Sequence, residues 1–544
     1  MQFSSFLFAG GLSETVSFTA VSYLALFLPL VIGLYALMPA KAKKYFLLVA
    51  SFVFYWLISG KLIIYLFLSI FSVHYFGLWL ERLNREKKDA ICSCEREQKK
   101  KIKAVFQKKS RLALFFAVLV HIGTLLVLKY SPFFTQNINS LLSLFGSSFS
   151  FEIPSYLQPI GISFFSLQAF SYIFDVYRGT TKADTNIWRL ALFMSFFPQI
   201  VEGPICRYNQ TAEQLWNAKQ IKFENLTLGL ECIAFGVMKK VVVADRLDPL
   251  IKSVFESPNK YAGGLIAFTV LMYTVQLYMD FSGTMDAVVG IGQIFGVEMP
   301  ENFRRPFFSK TISEFWQRWH ITLGTWFKDY IFYPVTMSKP MKKLTSSARK
   351  KLGNHFGPLL SGAVALFCVW FCNGLWHGSA WHYIFFGMYH FALILCGEII
   401  APAVNFVNSK LHIDPEKLPY RIFQILRSAV LVVFGELFFR ANGLRAGFAM
   451  TKIMFTKVNF TALNDQNLRP FGIDSKDLFI VGVVVLIVFV VGLLKEKGID
   501  VNERIASQNI VVRRVILYAL IMFIIVFGAY GPGYVPVDPM YAEF

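Results

Sequence analysis

Residues 478–494 read LFIVGVVVLIVFVVGLL, a stretch without a single charged or hydrogen-bonding side chain. Such a run is typical of a helix inside a lipid bilayer, because roughly 20 apolar residues span the hydrocarbon core. Comparable runs lie at Val21–Leu37, Leu62–Leu80, Leu112–Leu128, Ile160–Ile173, Gly263–Met279, Tyr383–Ile400 and Val515–Phe527, and weaker ones at Phe46–Ile58, Trp188–Ile200, Cys232–Ala244, Leu359–Cys372 and Ala429–Phe439. The pattern therefore predicts about eleven to thirteen buried or spanning helices.

The composition also indicates a protein that is surrounded by lipid. Hydrophobic residues make up 55% of the chain, charged residues only 16%, and the mean hydropathy is +0.50, which is too apolar for a soluble protein of this size. No run shows the alternation of a membrane β-barrel, so helices remain as the way to satisfy the backbone in lipid. We predict an all-α polytopic membrane protein, a single integral membrane domain over residues 1–544, whose first helix is retained and not cleaved as a signal peptide.

The net charge of +20 is concentrated in two predicted loops, the basic runs at Arg82–Arg111 and at Lys339–Lys351. The positive-inside rule places both runs in the cytoplasm, next to anionic lipid head groups. This distribution predicts a protein of the cytoplasmic membrane with lipids as partners, and it argues against nucleic acid as a partner.

Cysteine usage excludes a disulfide framework. The chain has seven cysteines, an odd number without regular spacing. Cys92 and Cys94 lack further Cys or His ligands nearby, and Cys368 and Cys372 fit as small packing residues on an apolar helix. We therefore expect no metal site and no permanently bound cofactor.

His377 is the leading candidate for a functional residue. It lies between two apolar runs, where an ionisable side chain costs roughly 2.5 to 3.5 kcal/mol, and histidine transfers protons near neutral pH. Gly374 and Gly378 would allow close approach of backbone or substrate, and Asn373, one helical turn earlier, could hydrogen-bond the ring. A purely structural histidine is the alternative.

Residues 298–343 are charged and aromatic although apolar runs flank them. This composition favours a helix in the membrane interface or one that re-enters the protein, beside a wet cavity. The spacing predicts Trp316 and His320 one above the other on a helix face. His320 is the second candidate, with a satisfied interfacial histidine as the alternative.

Charged residues in other apolar segments suggest structural roles. Asp280 and Asp286 flank Phe281-Ser282-Gly283, where we expect a tight turn and a helix break held by capping. Glu436 and Arg440 are four residues apart, which predicts a buried ion pair.

Ordered motifs add a resemblance to these inferences. They are PIGISF at 159–164, YIFDVYR at 172–178, FPQ at 197–199, GPICRY at 203–208, GVMKK at 236–240, AD at 244–245, DFSG at 280–283, EFWQRWH at 314–320, GLWHG at 374–378 and FFRA at 438–441. In this order they resemble the membrane-bound O-acyltransferase (MBOAT) family, most closely its bacterial branch that acylates alginate, peptidoglycan and teichoic acid. The motif core spans about 159–441, and the C-terminal helices and a short aromatic tail occupy 478–544.

The resemblance implies an MBOAT-type ring of transmembrane and re-entrant helices around a thinned centre, with His377 and His320 as the two family histidines. It implies acyl transfer, with acetyl as the expected group, from a cytoplasmic thioester donor to a cell-surface polysaccharide. Acetyl-CoA or a phosphopantetheine carrier would be the co-substrate. An extracytoplasmic SGNH-type transferase and an acyl carrier protein would be the protein partners.

Residue roles follow from this chemistry. We expect His377 to act as the general base, and His320 or Asn373 to orient its ring or to hydrogen-bond the oxyanion. Trp376 and Arg318 are supporting residues, and Arg318 with Lys328 would bind either donor phosphates or lipid head groups. In the aromatic tail, Tyr541 is a candidate acyl relay or else an interfacial anchor; the donor-binding residues are otherwise unassigned.

Two alternatives stay open at this point. Within the enzyme interpretation, D-alanyl transfer to teichoic acid competes with polysaccharide acetylation. From another class, a polytopic transporter could use buried histidines as proton relays, but transporters commonly show internal repeats, and we find none in the sequence.

Overall fold

A computed structural model describes residues 22–95, 97–461 and 463–530. The described chain is helical, and its only β pairing is an isolated bridge between Phe303 and Trp319. The α-helices are α1 (Leu28–Leu37), α2 (Ala40–Ser59), α3 (Ile63–Cys92), α4 (Gln98–Leu125), α5 (Ser131–Leu144), α6 (Ile162–Arg178), α7 (Ile187–Ser195), α8 (Tyr208–Asn217), α9 (Phe223–Val237), α10 (Asp245–Glu256), α11 (Gly263–Ile294), α12 (Ile312–Arg318), α13 (Ile321–Phe327), α14 (Tyr333–Thr336), α15 (Lys339–His377), α16 (Trp381–Lys410), α17 (Leu418–Arg440), α18 (Leu444–Thr456), α19 (Asp465–Leu468), α20 (Ser475–Glu496), α21 (Val501–Ala506) and α22 (Ile510–Phe527). Wider π-helical turns occur at Tyr23–Phe27, Leu126–Tyr130, Met238–Ala244 and Lys328–Phe332.

Eight helical stretches in the described part of the chain are long and apolar enough to cross a membrane. They lie at Ala40–Cys92, Gln98–Leu144, Gly263–Ile294, Lys339–His377, Trp381–Lys410, Leu418–Arg440, Ser475–Glu496 and Ile510–Phe527. The other predicted runs form shorter or more deeply buried helices, and α7 ends at Ser195, before the predicted limit at Ile200. The prediction of an all-α polytopic membrane protein is confirmed.

The two basic runs are helical extensions and not loops. In the first, α3 continues to Cys92 and α4 begins at Gln98, so a short connection joins two helices that carry the lysines beyond their apolar parts. In the second, α15 starts at Lys339 and kinks at Gly353, whose φ of 79° suits glycine. All three helices exceed the roughly 20 residues that a bilayer requires, so each is long enough to carry its charged end beyond the hydrocarbon core.

The chain divides into two compact units, one of residues 1–230 and 288–300, the other of residues 231–287 and 301–544. In the first unit, α3 packs against α4 and α6, and α7 packs against α2 and α8. In the second, α15 and α16 form an antiparallel hairpin, and α17 packs against α16. The single domain expected from the sequence stays a prediction.

A buried carboxylate organises part of the first unit. The Arg189 guanidinium donates to both oxygens of Asp184 at 2.6 and 2.7 Å, and the Tyr208 hydroxyl donates to the same carboxylate. Burial by itself raises the pKa of Asp184, but these hydrogen bonds outweigh it and hold the pKa below its ordinary value. The group is therefore ionised at neutral pH.

The expected helix break at Asp280 and Asp286 is wrong, because α11 runs unbroken from Gly263 to Ile294. Gly283 serves close packing and not a turn, since a Cβ there would lie 2.6 Å from the Gly236 carbonyl oxygen. This approach brings a π-helical turn with two lysines alongside α11. Lys240 Nζ then bonds Asp280 at 2.9 Å and Asp245 at 2.7 Å, and Lys239 Nζ bonds Asp286 at 2.6 Å.

The predicted ion pair between Glu436 and Arg440 is also wrong. The buried Glu436 carboxylate accepts a hydrogen bond of 2.5 Å from the Thr274 hydroxyl. The Arg440 guanidinium lies over the Phe255 ring, 5.9 Å from its centroid. Residues four apart can face each other on a helix, but here each side chain finds its partner on another segment.

Candidate active site

His377 is the last residue of α15, where the chain turns to enter α16. Two glycines let these helices approach closely: a Cβ on Gly374 would lie 2.6 Å from the Tyr383 carbonyl oxygen, and one on Gly387 would lie 2.3 Å from the Trp370 carbonyl oxygen. The close crossing holds the end of α15 against α16 and so fixes where the His377 ring lies.

Aromatic rings surround His377. Its side chain is buried, and its ring centroid lies 4.8 Å from Trp376, 5.0 Å from Phe439 and 6.1 Å from Phe386. Gly378 follows directly, with its Cβ position 2.3 Å from the Tyr383 ring. These surroundings keep bulk water away from the imidazole, which strengthens electrostatic interactions there.

His320 is not on the same helix face as Trp316, contrary to the spacing argument. Helix α12 ends at Arg318, Trp319 is extended, and His320 has the left-handed φ/ψ of 47° and 53° before α13 begins. The turn directs the buried His320 ring edge-on to Phe281, with centroids 4.9 Å apart. Burial lowers the pKa of His320 to about 3, so the ring is neutral at neutral pH.

Trp376 brings the two predicted histidines into one site. Its ring centroid lies 5.6 Å from that of His320 and 4.8 Å from that of His377. Trp376 is itself buried, and all three residues belong to the second unit. Their roles stay a prediction, but the structure places the three side chains together.

Asn373 lies one turn before His377 and is buried, as the motif suggests. The hydrogen bond expected between its amide and the His377 ring is absent: Oδ1 of Asn373 is buried and has no hydrogen-bond partner among the described residues. A hydrogen-bond donor on a substrate, such as a hydroxyl group, could satisfy this oxygen.

Arg318 is engaged by carboxylates and not exposed for a phosphate. Its guanidinium bonds Glu314 at 2.7 Å and also bonds Glu496, which Arg305 contacts at 3.1 Å. These bonds join the end of α12 to the end of α20. The pairing favours a structural role for Arg318, while Lys328 lies over the Tyr333 ring at 5.7 Å.

An open pocket of about 570 Å³ lies in the second basic run, away from the predicted site residues. It is lined by Thr336, Lys342, Thr345, Ser346, Arg349 and Lys350. Three cations and three hydroxyl groups make it a suitable surface for an anionic group.

Two polar residues near the site were not proposed as site residues from the sequence, which favoured a structural or interfacial role for His390 and did not single out Asn302. His390 is fully buried and accepts a hydrogen bond of 3.2 Å at Nδ1 from the Trp316 indole. Asn302 contacts Nδ1 of His320 at 3.0 Å. Neither lies at a telling spacing from a motif, so no local signal in the sequence pointed to them. Tyr541, the candidate relay, lies outside the described residues.

The fold and the site together define a helical membrane protein with two buried histidines enclosed by aromatic rings. Comparison with known proteins makes this class specific: residues 180–349 match the model of MBOAT, the membrane-bound O-acyltransferase family. The probable alginate O-acetylase AlgI of Azotobacter vinelandii is 32% identical over 454 residues, covering 83% of this chain and 80% of that protein.

Two further relatives widen the range of acceptors. The peptidoglycan O-acetyltransferase of Helicobacter pylori is 29% identical over 370 residues, covering 63% of this chain and 64% of its own length. The teichoic acid D-alanyltransferase of Bacillus subtilis is 32% identical over 241 residues, covering 44% and 58%. The chain belongs to the membrane-bound O-acyltransferase family. It is a multi-pass membrane acyltransferase, and the transporter interpretation is set aside.

Proposed function

We propose that this acyltransferase moves an acyl group, acetyl in the first instance, from a cytoplasmic thioester donor across the membrane for O-acylation of a cell-surface polysaccharide. The observation that carries the proposal is the enclosed pair of His320 and His377 against one Trp376 ring. The length over which the chain matches an alginate O-acetylase supports the acceptor class.

His377 acts as the general base in this proposal. An acceptor hydroxyl oxygen attacks the thioester carbonyl carbon while His377 takes the hydroxyl proton. The tetrahedral intermediate then collapses, the carbon–sulfur bond breaks, and the proton passes to the departing thiolate. The products are an ester and a free thiol, and base catalysis of this kind contributes typically 10²- to 10⁴-fold.

The aromatic surroundings suit this step. A neutral imidazole is required at the start, and Trp376, Phe386 and Phe439 surround the His377 ring with apolar surface. The side-chain N–H groups of the buried Asn373 would donate to the substrate carbonyl or its oxyanion, and its Oδ1 would accept from a substrate hydroxyl. Water is excluded from the ring, which protects the thioester from hydrolysis.

The donor in this proposal is acetyl-CoA or a phosphopantetheine carrier protein, both of which carry phosphate. With Arg318 engaged by Glu314, the pocket that Lys342 and Arg349 help to line is the better candidate for phosphate contact. Lys342→Gln with Arg349→Gln should then raise the apparent KM for the donor and leave kcat near the native value. An unchanged KM would show that the pocket does not bind the donor phosphate.

D-alanyl transfer to teichoic acid is the second candidate, because a D-alanyltransferase is 32% identical over 241 residues of this chain. The two candidates differ in the ester that they leave on the envelope and in the partner that they need. An extracytoplasmic SGNH-type transferase would complete polysaccharide acetylation, and a D-alanine carrier protein would supply alanylation.

The test is the mass of base-released acyl groups on envelope polymers from cells that carry the native chain or His377→Ala at equal membrane abundance. Loss of one ester species in the variant supports the proposal and names the acyl group. His355→Ala is the control, because His355 is exposed and its side chain contacts the Glu398 carbonyl oxygen and the Phe356 ring, neither of which belongs to the site. Unchanged esters with His377→Ala would refute the assignment.

The relay tyrosine has its own test. Tyr541→Phe removes the hydroxyl that would carry the acyl group and keeps the aromatic ring of an interfacial anchor. If the relay exists, the variant loses polymer esters while His377-dependent consumption of the donor thioester continues. Normal esters would leave Tyr541 as an anchor.

A further inference from the structure

Asn302 is a polar residue that contacts His320 and the two residues after it. It is buried, with 2% of its surface exposed. Its backbone carbonyl accepts from the Ile321 N–H at 2.9 Å. Its side-chain Oδ1 accepts from the Thr322 N–H at 3.1 Å and the Thr322 hydroxyl at 2.9 Å, and lies 3.0 Å from His320 Nδ1. One residue thus contacts three successive residues of the turn.

The orientation of the Asn302 amide follows from these contacts. A backbone N–H can only donate a hydrogen bond, so the side-chain atom facing the Thr322 N–H has to be the oxygen. An amide oxygen can only accept, so its contact with His320 Nδ1 is a hydrogen bond only if Nδ1 carries the proton. In a neutral imidazole the other nitrogen, Nε2, then has the lone pair.

The same contacts hold a strained backbone. His320 is a non-glycine residue with φ of 47°, a conformation that side chains with a Cβ rarely adopt. A second bond joins the same two segments: the Arg304 N–H donates to the Arg318 carbonyl at 2.8 Å. Asn302 therefore lies where it fixes both the position of the ring and its tautomer.

We propose that Asn302 is a positioning residue that holds His320 as the Nδ1–H tautomer, so that Nε2 of His320 meets the substrate as a hydrogen-bond acceptor. This inference rests on the proposed function, in which His320 and His377 form one acyl-transfer site, and it adds that His320 contacts the substrate. It excludes one role left open for His320, donation to the oxyanion. The neutral ring instead accepts a hydrogen bond from a substrate O–H or N–H, and donation to the oxyanion falls to other groups such as the Asn373 side-chain N–H.

Two substitutions separate this role from a merely structural one. Asn302→Leu removes the acceptor, so the ring loses its tautomer preference. Asn302→Asp keeps an acceptor at the same place but adds a negative charge, which favours the imidazolium form of His320. An imidazolium has no lone pair at Nε2, so the Asp variant should be active only where the pH keeps the ring neutral.

The first measurement is direct. The ¹⁵N NMR signals of the ring nitrogens of histidine-labelled protein report which nitrogen carries hydrogen, with the His320 signals assigned by their loss in His320→Gln. We expect Nδ1–H in the native chain and in Asn302→Asp, and a mixture in Asn302→Leu. A native His320 protonated at Nε2 would overturn the proposal.

The second measurement is the pH profile of acyl transfer at equal membrane abundance. Asn302→Leu should lower the rate about 10- to 100-fold at every pH, the range typical of groups that orient a functional histidine in metal sites. Asn302→Asp should shift the acid limb to higher pH and approach the native rate at alkaline pH. An acid limb identical to that of the native chain would refute the positioning role.

Controls distinguish a failed inference from a failed function. Asn408→Leu removes another buried amide, one that donates to the Tyr420 hydroxyl at 3.2 Å, and should leave the pH profile unchanged. If His320→Gln retains native activity, the proposed catalytic use of His320 fails, whatever the tautomer is. If His320→Gln is inactive and both Asn302 variants behave like the native chain, only the inference fails.

Discussion

Replacing Gly374 with alanine should displace His377 without touching it. The two residues lie about one turn apart on α15, and Gly374 faces the start of α16. An ideal Cβ at this position would lie 2.6 Å from the Tyr383 carbonyl oxygen and 3.0 Å from the Ile384 Cα. Both obstacles are backbone atoms, which do not yield by a change of rotamer.

The size of the effect follows from the overlap. Ordinary contact begins at 3.4 Å, so the two helices have to separate by about 0.8 Å to admit the methyl group at Gly374. Overpacking of this kind costs about 1 to 3 kcal/mol of stability. A misplacement of about 1 Å at a reacting centre costs on the order of 10² in rate. We therefore expect a folded protein with strongly reduced acyl transfer.

The assay compares matched glycine variants in the same helices. Gly362→Ala lies in α15 and Gly397→Ala in α16, and nothing stands within 4 Å of a Cβ at either position. Gly387→Ala is the second test variant, because its Cβ would lie 2.3 Å from the Trp370 carbonyl oxygen. Ester formation per unit of membrane protein should fall for Gly374→Ala and Gly387→Ala and stay near native for both controls.

One result would refute the reasoning. If Gly374→Ala and Gly362→Ala form esters at the same rate and unfold at the same temperature in detergent, the close crossing of α15 and α16 does not set the position of His377. A general effect of alanine on helix stability would appear equally in Gly362→Ala and Gly397→Ala, so the controls also exclude that explanation.

Three further predictions concern charged residues. Lys240→Met removes the cation that pairs with the Asp280 and Asp245 carboxylates, which should lower the free energy of unfolding by about 3 to 5 kcal/mol. Thermal unfolding should show partial recovery when Asp280→Leu is added, because Asp245 still lacks its lysine, and no recovery would contradict the pairing with Asp280. Hydrogen bonds depress the pKa of Asp184, so its contribution to stability is complete above the unfolded pKa near 3.9 and is lost as the pH falls below that value. Asp184→Asn should flatten this part of the curve of stability against pH, and an unchanged curve would count against a stabilising role of the ionised carboxylate. Arg318→Gln and Glu496→Gln should lower the unfolding temperature alike and leave the KM for the donor unchanged, whereas a raised KM for Arg318→Gln alone would restore a phosphate-binding role.

Local pattern predicted the long apolar helices but not the partners of their charged side chains. The spacing of Glu436 and Arg440 is that of an ion pair, yet Glu436 pairs with Thr274, which is remote in sequence. Likewise Gly283 between two acidic residues suggests a turn, although its function is to admit the Gly236 backbone. The sequence gives the size and charge of each residue but not which residues pack against it in the folded protein.

The His320 turn shows the same limit at the site. Its spacing from Trp316 fits one helix face, but the helix ends at Arg318 because the backbone of this segment bonds to residues 302–304. Those bonds bring Asn302 to the imidazole, and no periodicity predicts them.

The sequence by itself determined the membrane location, the helical class and the motifs around His320 and His377, because hydrophobicity and residue order are properties of the chain. Only the tertiary structure decided that both histidines meet the Trp376 ring, that carboxylates engage Arg318 and that Asn302 faces Nδ1 of His320. The physical reason is that hydrogen bonds and ring contacts act over a few ångströms, and distances between residues remote in sequence are set when the helices pack.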